Sequence, residues 1–85
     1  MSTTNESILF LNEPHITNTS INKSGGDRKT VHTVIIKEGV TTIGEGAFED
    51  CVLLTTVIIP GSVTIIGERA FEDCVRLEDI IIPNG

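Results

Sequence analysis

The chain has 85 residues, enough for one small domain, and only 4% of them are aromatic, so aliphatic side chains must fill the core. Its formal net charge is −6, and residues 40–85 carry all of it, with eight acidic residues against two arginines. This charge argues against binding to nucleic acids or to anionic membranes. With neither a signal peptide nor a transmembrane run in the sequence, we expect a cytoplasmic protein, or a cell-surface one if the chain is a fragment of a larger exported protein.

Residues 1–30 are predicted to form a separate N-terminal segment. Within it, residues 7–11 are short and apolar, and they predict a strand that pairs as a cap on the residues that follow. Residues 12–30 are mostly polar, which predicts a loop or a disordered stretch.

An internal repeat occupies the rest of the chain, residues 31–85. Residues 40–62 read VTTIGEGAFEDCVLLTTVIIPGS and residues 63–85 read VTIIGERAFEDCVRLEDIIIPNG, with 15 identical positions of 23. Residues 31–39, VHTVIIKEG, match the end of each unit and form a partial copy. A repeat of this length is typical of a solenoid, in which each unit buries its apolar face against the next.

Each unit predicts a strand followed by a segment that runs back. In the strand, Val57 and Ile59 should point inward and Ile58 outward, because side chains alternate across a strand. Pro60 should end the strand, since proline cannot donate a hydrogen bond to a neighbouring strand. Near-helical spacing of apolar residues predicts about one helical turn around residues 69–73.

Stacking of the units should place each inward residue on its own copy, with parallel strands about 4.8 Å apart. The predicted columns are Val34/Val57/Ile80, Ile36/Ile59/Ile82 and Phe48/Phe71.

The units resemble the BspA-like leucine-rich repeats, whose pattern is V-T-x-I-G-x-x-A-F-x-x-C-x-x-L-x-x-I-x-I-P. The resemblance implies an α/β fold: a curved leucine-rich-repeat solenoid with short parallel strands on the concave side and short helical or irregular convex segments. It also implies attachment or protein binding, without an enzyme activity or a cofactor. The residues that match are Val40, Thr41, Ile43, Gly44, Ala47, Phe48, Cys51, Leu54, Val57, Ile59 and Pro60, with their equivalents Val63, Thr64, Ile66, Gly67, Ala70, Phe71, Cys74, Leu77, Ile80, Ile82 and Pro83.

Two sets of residues are candidate sites of chemistry. Cys51 and Cys74 lie one period apart, and we expect them to be buried apolar residues, with a disulfide or a metal site as the alternatives. The acidic columns are expected to form a solvated surface, with a cation site as the alternative, because they lack the spacing of a calcium loop. No nucleophile–base pair or phosphate loop stands out, so no catalytic, cofactor or metal residues are predicted. The acidic columns are Glu45/Glu68, Glu49/Glu72 and Asp50/Asp73.

The outward face of the predicted sheet is the candidate binding surface for a protein partner. A stripe of exposed isoleucine flanked by polar residues is typical of such a surface. The alternative is that the stripe merely favours strand formation or is covered by the N-terminal segment. The residues of this outward face are Thr33, Ile35, Lys37, Thr56, Ile58, Pro60, Asp79, Ile81 and Pro83.

The last repeat suggests a second hypothesis, which is that the chain is a structural unit. Ile80 and Ile82 should have no unit to pack on, as expected of a fragment of a longer array with a surface-attachment role, or of a chain that self-associates through its C-terminal edge.

Overall fold

A computed structural model describes residues 8–82, which form a solenoid of short parallel strands. Its two sheets have the strand orders β1-β3-β5-β7 and β2-β4-β6. No helix within the described range is long and apolar enough to cross a membrane. The elements are β1 (Ile8–Leu11), β2 (His15–Ile16), α1 (Ser20–Lys23), β3 (Thr33–Ile36), β4 (Thr42–Ile43), β5 (Thr56–Ile58), β6 (Ile65–Ile66) and β7 (Asp79–Ile81).

The first sheet has the register that the repeat period predicts. Val34 pairs with Val57, and Val57 pairs with Ile80. Val57 and Ile59 are buried while Ile58 between them is half-buried, so the predicted alternation of inward and outward side chains is confirmed. Burial of these aliphatic side chains from layer to layer is the main force holding the solenoid together.

The second sheet was not predicted as a sheet. It joins Ile16, Ile43 and Ile66 at equivalent positions of successive layers. Directly after these strands, the N–H of Gly44 donates to the carbonyl of Ile16, and the N–H of Gly67 donates to the carbonyl of Ile43, at N···O distances of 2.8 and 2.7 Å. The backbone is therefore hydrogen-bonded on both sides of the core.

The segments between β4 and β5 and between β6 and β7 are turns, so the helical turn predicted around residues 69–73 is wrong. Arg69 and Asp73 have φ angles of 61° and 64°, in the left-handed region that a right-handed helix excludes. Residues 8–82 contain a single helix, the four-residue α1, so the α/β class holds only in part and the fold is a β-solenoid.

These turns stack on one another through their backbones and through one aromatic pair. The rings of Phe48 and Phe71 lie parallel, with centroids 5.3 Å apart and planes 9° apart, which confirms the predicted column. Beside them, the N–H of Phe48 donates to the carbonyl of Ala70 at 2.7 Å, and the N–H of Asp50 donates to the carbonyl of Glu72 at 2.9 Å. Consecutive layers are thus joined at a third position.

Residues 12–30, predicted to be a polar loop or a disordered stretch, are mostly irregular but contribute two short elements and part of the core. They contain β2 and α1, and Ile16 and Ile21 are fully buried. Ser20 is also buried, and its hydroxyl donates to the Glu13 carboxylate at 2.7 Å, which satisfies its polar group. The prediction missed this segment because its few apolar residues are spaced differently from those of the repeat. The division into residues 1–30 and 31–85 stays a prediction.

Arg28 ties this first layer to the second. Its guanidinium donates hydrogen bonds to the carbonyl oxygens of Asn18 and Glu49. One repeat later, the carbonyl at the position of Glu49 is that of Glu72, and it accepts from the backbone N–H of Asp50 in the preceding layer. Within residues 8–82, the first layer has no such backbone donor for the Glu49 carbonyl, and the Arg28 side chain donates in its place.

The two ends of the solenoid differ in how well their apolar residues are covered. In the first layer, Leu11, Ile16 and Ile21 are buried. In the last layer, Ile66, Ile80 and Ile82 are 47%, 46% and 60% exposed, although their equivalents one period earlier are at most 2% exposed. We call the surface formed by Ile66, Ile80 and Ile82 the open end.

Candidate functional site

The outward face extends across all four strands of the first sheet. In its central column, Phe10 pairs with Ile35, Ile35 with Ile58, and Ile58 with Ile81. Phe10 is 55% exposed and Ile81 48% exposed, and the two isoleucines between them are half-buried. The column is thus a continuous apolar stripe about 14 Å long at the usual strand spacing.

Polar residues border this stripe on one side. Thr33 pairs with Thr56, and Thr56 with Asp79, and the column begins at Ile8, which pairs with Thr33. Both threonines are half-buried, whereas Asp79 is exposed. The chemical character of this column therefore changes along the solenoid axis, from an aliphatic side chain through two hydroxyls to a carboxylate.

Lys37 lies on the other side of the stripe, at its N-terminal end. It is exposed, and its Nζ lies 5.4 Å from the centroid of the Phe10 ring, within the range of a cation–π interaction. The outward face therefore carries a cation near β1 and a carboxylate near β7.

Pro60 does not belong to the outward face. It is buried, because β5 ends at Ile58 and the alternation of side chains stops with the strand. Its carbonyl instead accepts the N–H of Val63, closing the turn toward β6. Pro83, the last residue predicted for the face, lies outside the described residues.

Sequence reasoning missed Ile8 and Phe10 as members of this surface. Their strand alternates as the later ones do, and Leu11 is buried as Ile36 is. The separation in sequence between Phe10 and its partner Ile35 is longer than one repeat period, so the match does not appear in a search at one fixed period. The alternating pattern of residues 8–11 was the available signal.

The two cysteines are free thiols. Cys51 is fully buried, as predicted, and Cys74 is half-buried, with its Sγ donating to the carbonyl of Phe48 at 3.1 Å. Burial is the main cause that raises the pKa of the Cys51 thiol from 9.0 to about 12, and burial also raises the pKa of Cys74. Both thiols are held in their neutral form, which suits apolar packing and not nucleophilic chemistry.

The raised pKa of Cys51 predicts a loss of stability at alkaline pH. The folded-state pKa of about 12 lies above the ordinary 9.0, so burial of the neutral thiol contributes stability that is complete below pH 9.0. This contribution is lost as the pH rises toward 12 and the thiol of the folded protein ionises. Urea unfolding at stepped pH should therefore give a falling free energy of unfolding over this range. Cys51→Ala should show a shallower decline, and parallel pH curves for the two proteins would contradict the assignment.

The acidic columns lie at the surface, with Glu45, Asp50 and Asp73 exposed. Asp50 and Asp73 adopt positive φ angles of 65° and 64°. Aspartate tolerates this backbone conformation better than most residues, so the two aspartates suit the turns in which they lie. Within residues 8–82, no group of three His, Cys, Asp or Glu side chains is arranged to hold a metal ion.

The comparisons with known proteins identify the family. A family model described as BspA type leucine rich repeat region (6 copies) matches residues 19–85, and the chain belongs to this family. The match begins at residue 19, upstream of the repeat that is visible in the sequence, so the family pattern extends into the segment that was predicted to be separate. No curated protein and no solved structure matches the chain at the significance required. Leucine-rich repeats generally mediate protein–protein interaction, and this family is a non-enzymatic repeat module.

Proposed function

We propose that the chain is a protein-interaction module that binds a protein partner through its outward face. The observation that carries the proposal is the apolar column Phe10/Ile35/Ile58/Ile81, which crosses the whole sheet in register. A contiguous apolar stripe of this kind is costly to leave in water, and such stripes mark binding surfaces.

The chemistry of the face favours a particular kind of partner segment. The stripe is one residue wide, so an apolar strip of a partner helix or strand covers it along its length. Lys37 and Asp79 lie toward its opposite ends, and a partner that presents an acidic residue near β1 and a basic one near β7 complements both. The apolar column contributes affinity, and the two charges set the orientation.

Peptides selected from a random library on the wild-type chain provide the test. Ile58→Glu places a charge at the centre of the stripe, and we expect it to weaken binding of the selected peptides by at least about tenfold, the effect of about 1.4 kcal/mol. Affinities would be measured by isothermal titration calorimetry.

The matched control is Ile65→Glu. Ile65 is also an exposed isoleucine on a strand, but it lies in the second sheet. This variant should bind the selected peptides as the wild type does, and circular dichroism should show both variants folded. Equal binding by Ile58→Glu and the wild type would overturn the proposal.

The second candidate function, a structural unit of a repeat array with a role in surface attachment, is favoured by the open end. Ile80 and Ile82 have the exposure expected where another layer of the same repeat would pack.

A further inference from the structure

The open end leaves core positions of the repeat exposed within residues 8–82. Its isoleucines occupy positions that are buried in the two preceding layers, and Phe71, Cys74 and Leu77 beside them are each less buried than Phe48, Cys51 and Leu54. Within residues 8–82 nothing covers this surface. It is therefore a cross-section of the solenoid core, bordered by the free edge of β7.

Among the described residues, 8–82, the N-terminal end does not offer a matching apolar surface. Gly26, in the turn after α1, lies so close to Leu9 and Ile21 that a Cβ there would approach the Leu9 Cδ2 to 2.8 Å. Leu11, Ile16 and Ile21 are already buried. A second copy thus has little to gain by placing its first layer on the open end.

The free edge of β7 is self-complementary. Across β5 and β7, the Thr55 carbonyl accepts from the N–H of Asp79, and the N–H of Ile59 donates to the carbonyl of Ile81. The backbone groups of β5 that face β7 have equivalents 23 residues later in β7, and these point away from the solenoid. They are the carbonyl of Glu78, the N–H of Ile82, and both the N–H and the carbonyl of Ile80. Antiparallel pairing about a two-fold axis at Ile80 matches each donor with an acceptor of the other copy.

We propose that two copies of the chain associate through their open ends, with the two β7 strands paired antiparallel and Ile80 facing Ile80. The two-fold axis stands perpendicular to the sheet, so the Ile80 side chains stay on the core side and cover one another, while Ile82 lies opposite Glu78 of the other copy. The assembly closes at two copies because each copy uses its one open end.

The size of the contact predicts a weak dimer. The contact is confined to the edge of β7 and the side chains of one layer, so we expect it to bury less than the roughly 800 Å² per partner of a standard interface. We expect a dissociation constant of about 10 µM to 1 mM, which corresponds to roughly −7 to −4 kcal/mol.

The charge of the last layer predicts how salt acts on the dimer. Residues 63–82 hold five acidic residues and two arginines, a net charge of −3 on each copy. Pairing the open ends brings these like charges together, and salt screens their repulsion over about 8 Å at physiological ionic strength. Association should therefore strengthen as sodium chloride is raised.

Sedimentation velocity of the full 85-residue chain, from about 10 µM to about 1 mM, tests association over the expected range of affinities. The wild type should shift from monomer toward dimer and no further. Ile80→Glu places two carboxylates at the two-fold axis and should keep the chain monomeric. Its matched control is Ile8→Glu, since Ile8 is 43% exposed and lies on the opposite edge strand, and this variant should still dimerise.

Disulfide trapping tests the geometry of the pair. Cα atoms of directly opposed, hydrogen-bonded residues in an antiparallel pair are about 5.5 Å apart, within the range that a disulfide spans. Oxidation should therefore convert Ile80→Cys, but neither Ile8→Cys nor the wild type, into a covalent dimer. A monomeric wild type across the concentration range, oligomers larger than the dimer, loss of the dimer in Ile8→Glu, or no trapping of Ile80→Cys would each overturn the proposal.

Discussion

Replacing Phe48 with alanine is expected to remove a large part of the stability of the fold. Phe48 is fully buried and its ring stacks on that of Phe71 between two layers. Truncation of a buried phenylalanine typically costs about 3–5 kcal/mol, because apolar contacts are lost and a cavity remains. A domain of this length has a total stability of only about 4–13 kcal/mol. Urea unfolding followed by circular dichroism would measure the loss.

Phe10→Ala is the control for this substitution. The same side chain is removed, but Phe10 is 55% exposed and lies on the outward face, so the unfolding midpoint should change little. Equal midpoints for Phe48→Ala and Phe10→Ala would show that the aromatic column does not hold the layers together.

Gly67→Ala is expected to destabilise the chain by about 1–3 kcal/mol, the usual cost of overpacking. A Cβ at Gly67 would lie 2.6 Å from the backbone nitrogen of Glu45 and 2.9 Å from the carbonyl carbon of Gly44. Backbone atoms of the preceding layer cannot move aside without lengthening the hydrogen bond from Gly67 to Ile43. Thermal unfolding would detect the effect as a lower midpoint.

Gly26→Ala is the comparison that separates backbone from side-chain crowding. The three atoms nearest to its Cβ would belong to the side chains of Leu9 and Ile21 and not to the backbone, and the half-buried Leu9 can change rotamer, so a smaller loss is expected. If Gly67→Ala melted at the wild-type temperature, the close approach of the layers would not be the reason for this glycine.

Much of the solenoid could be predicted because its layers repeat the same residues. The period alone gives the register of β3, β5 and β7, and alternation along the strand correctly identifies Val57 as inward. The Phe48/Phe71 column follows from the same logic. Where the sequence repeats, one contact predicts the others.

Features that depend on local backbone geometry were not predictable in this way. The apolar spacing near residues 69–73 suits a helix, but the positive φ angles of Arg69 and Asp73 make a turn. Pro60 appeared to be outward because alternation was extended past the last residue of β5. The apolar residues of the first layer are spaced differently from those of the repeat. Its contribution to the core and the place of Phe10 in the outward face were therefore not predicted.

Each repeat unit packs on the next through copies of the same residues, and this affects how such a chain can lengthen. Phe48 and Phe71, and Val57 and Ile80, meet as copies of one another, so a duplication of one whole unit, inserted between the two full units, creates only contacts of kinds already present. Growth by internal copying therefore requires no compensating substitutions. The outward face lengthens by one strand spacing, about 4.8 Å, with every such event. The length of the proposed binding surface would therefore change in whole steps as units are duplicated.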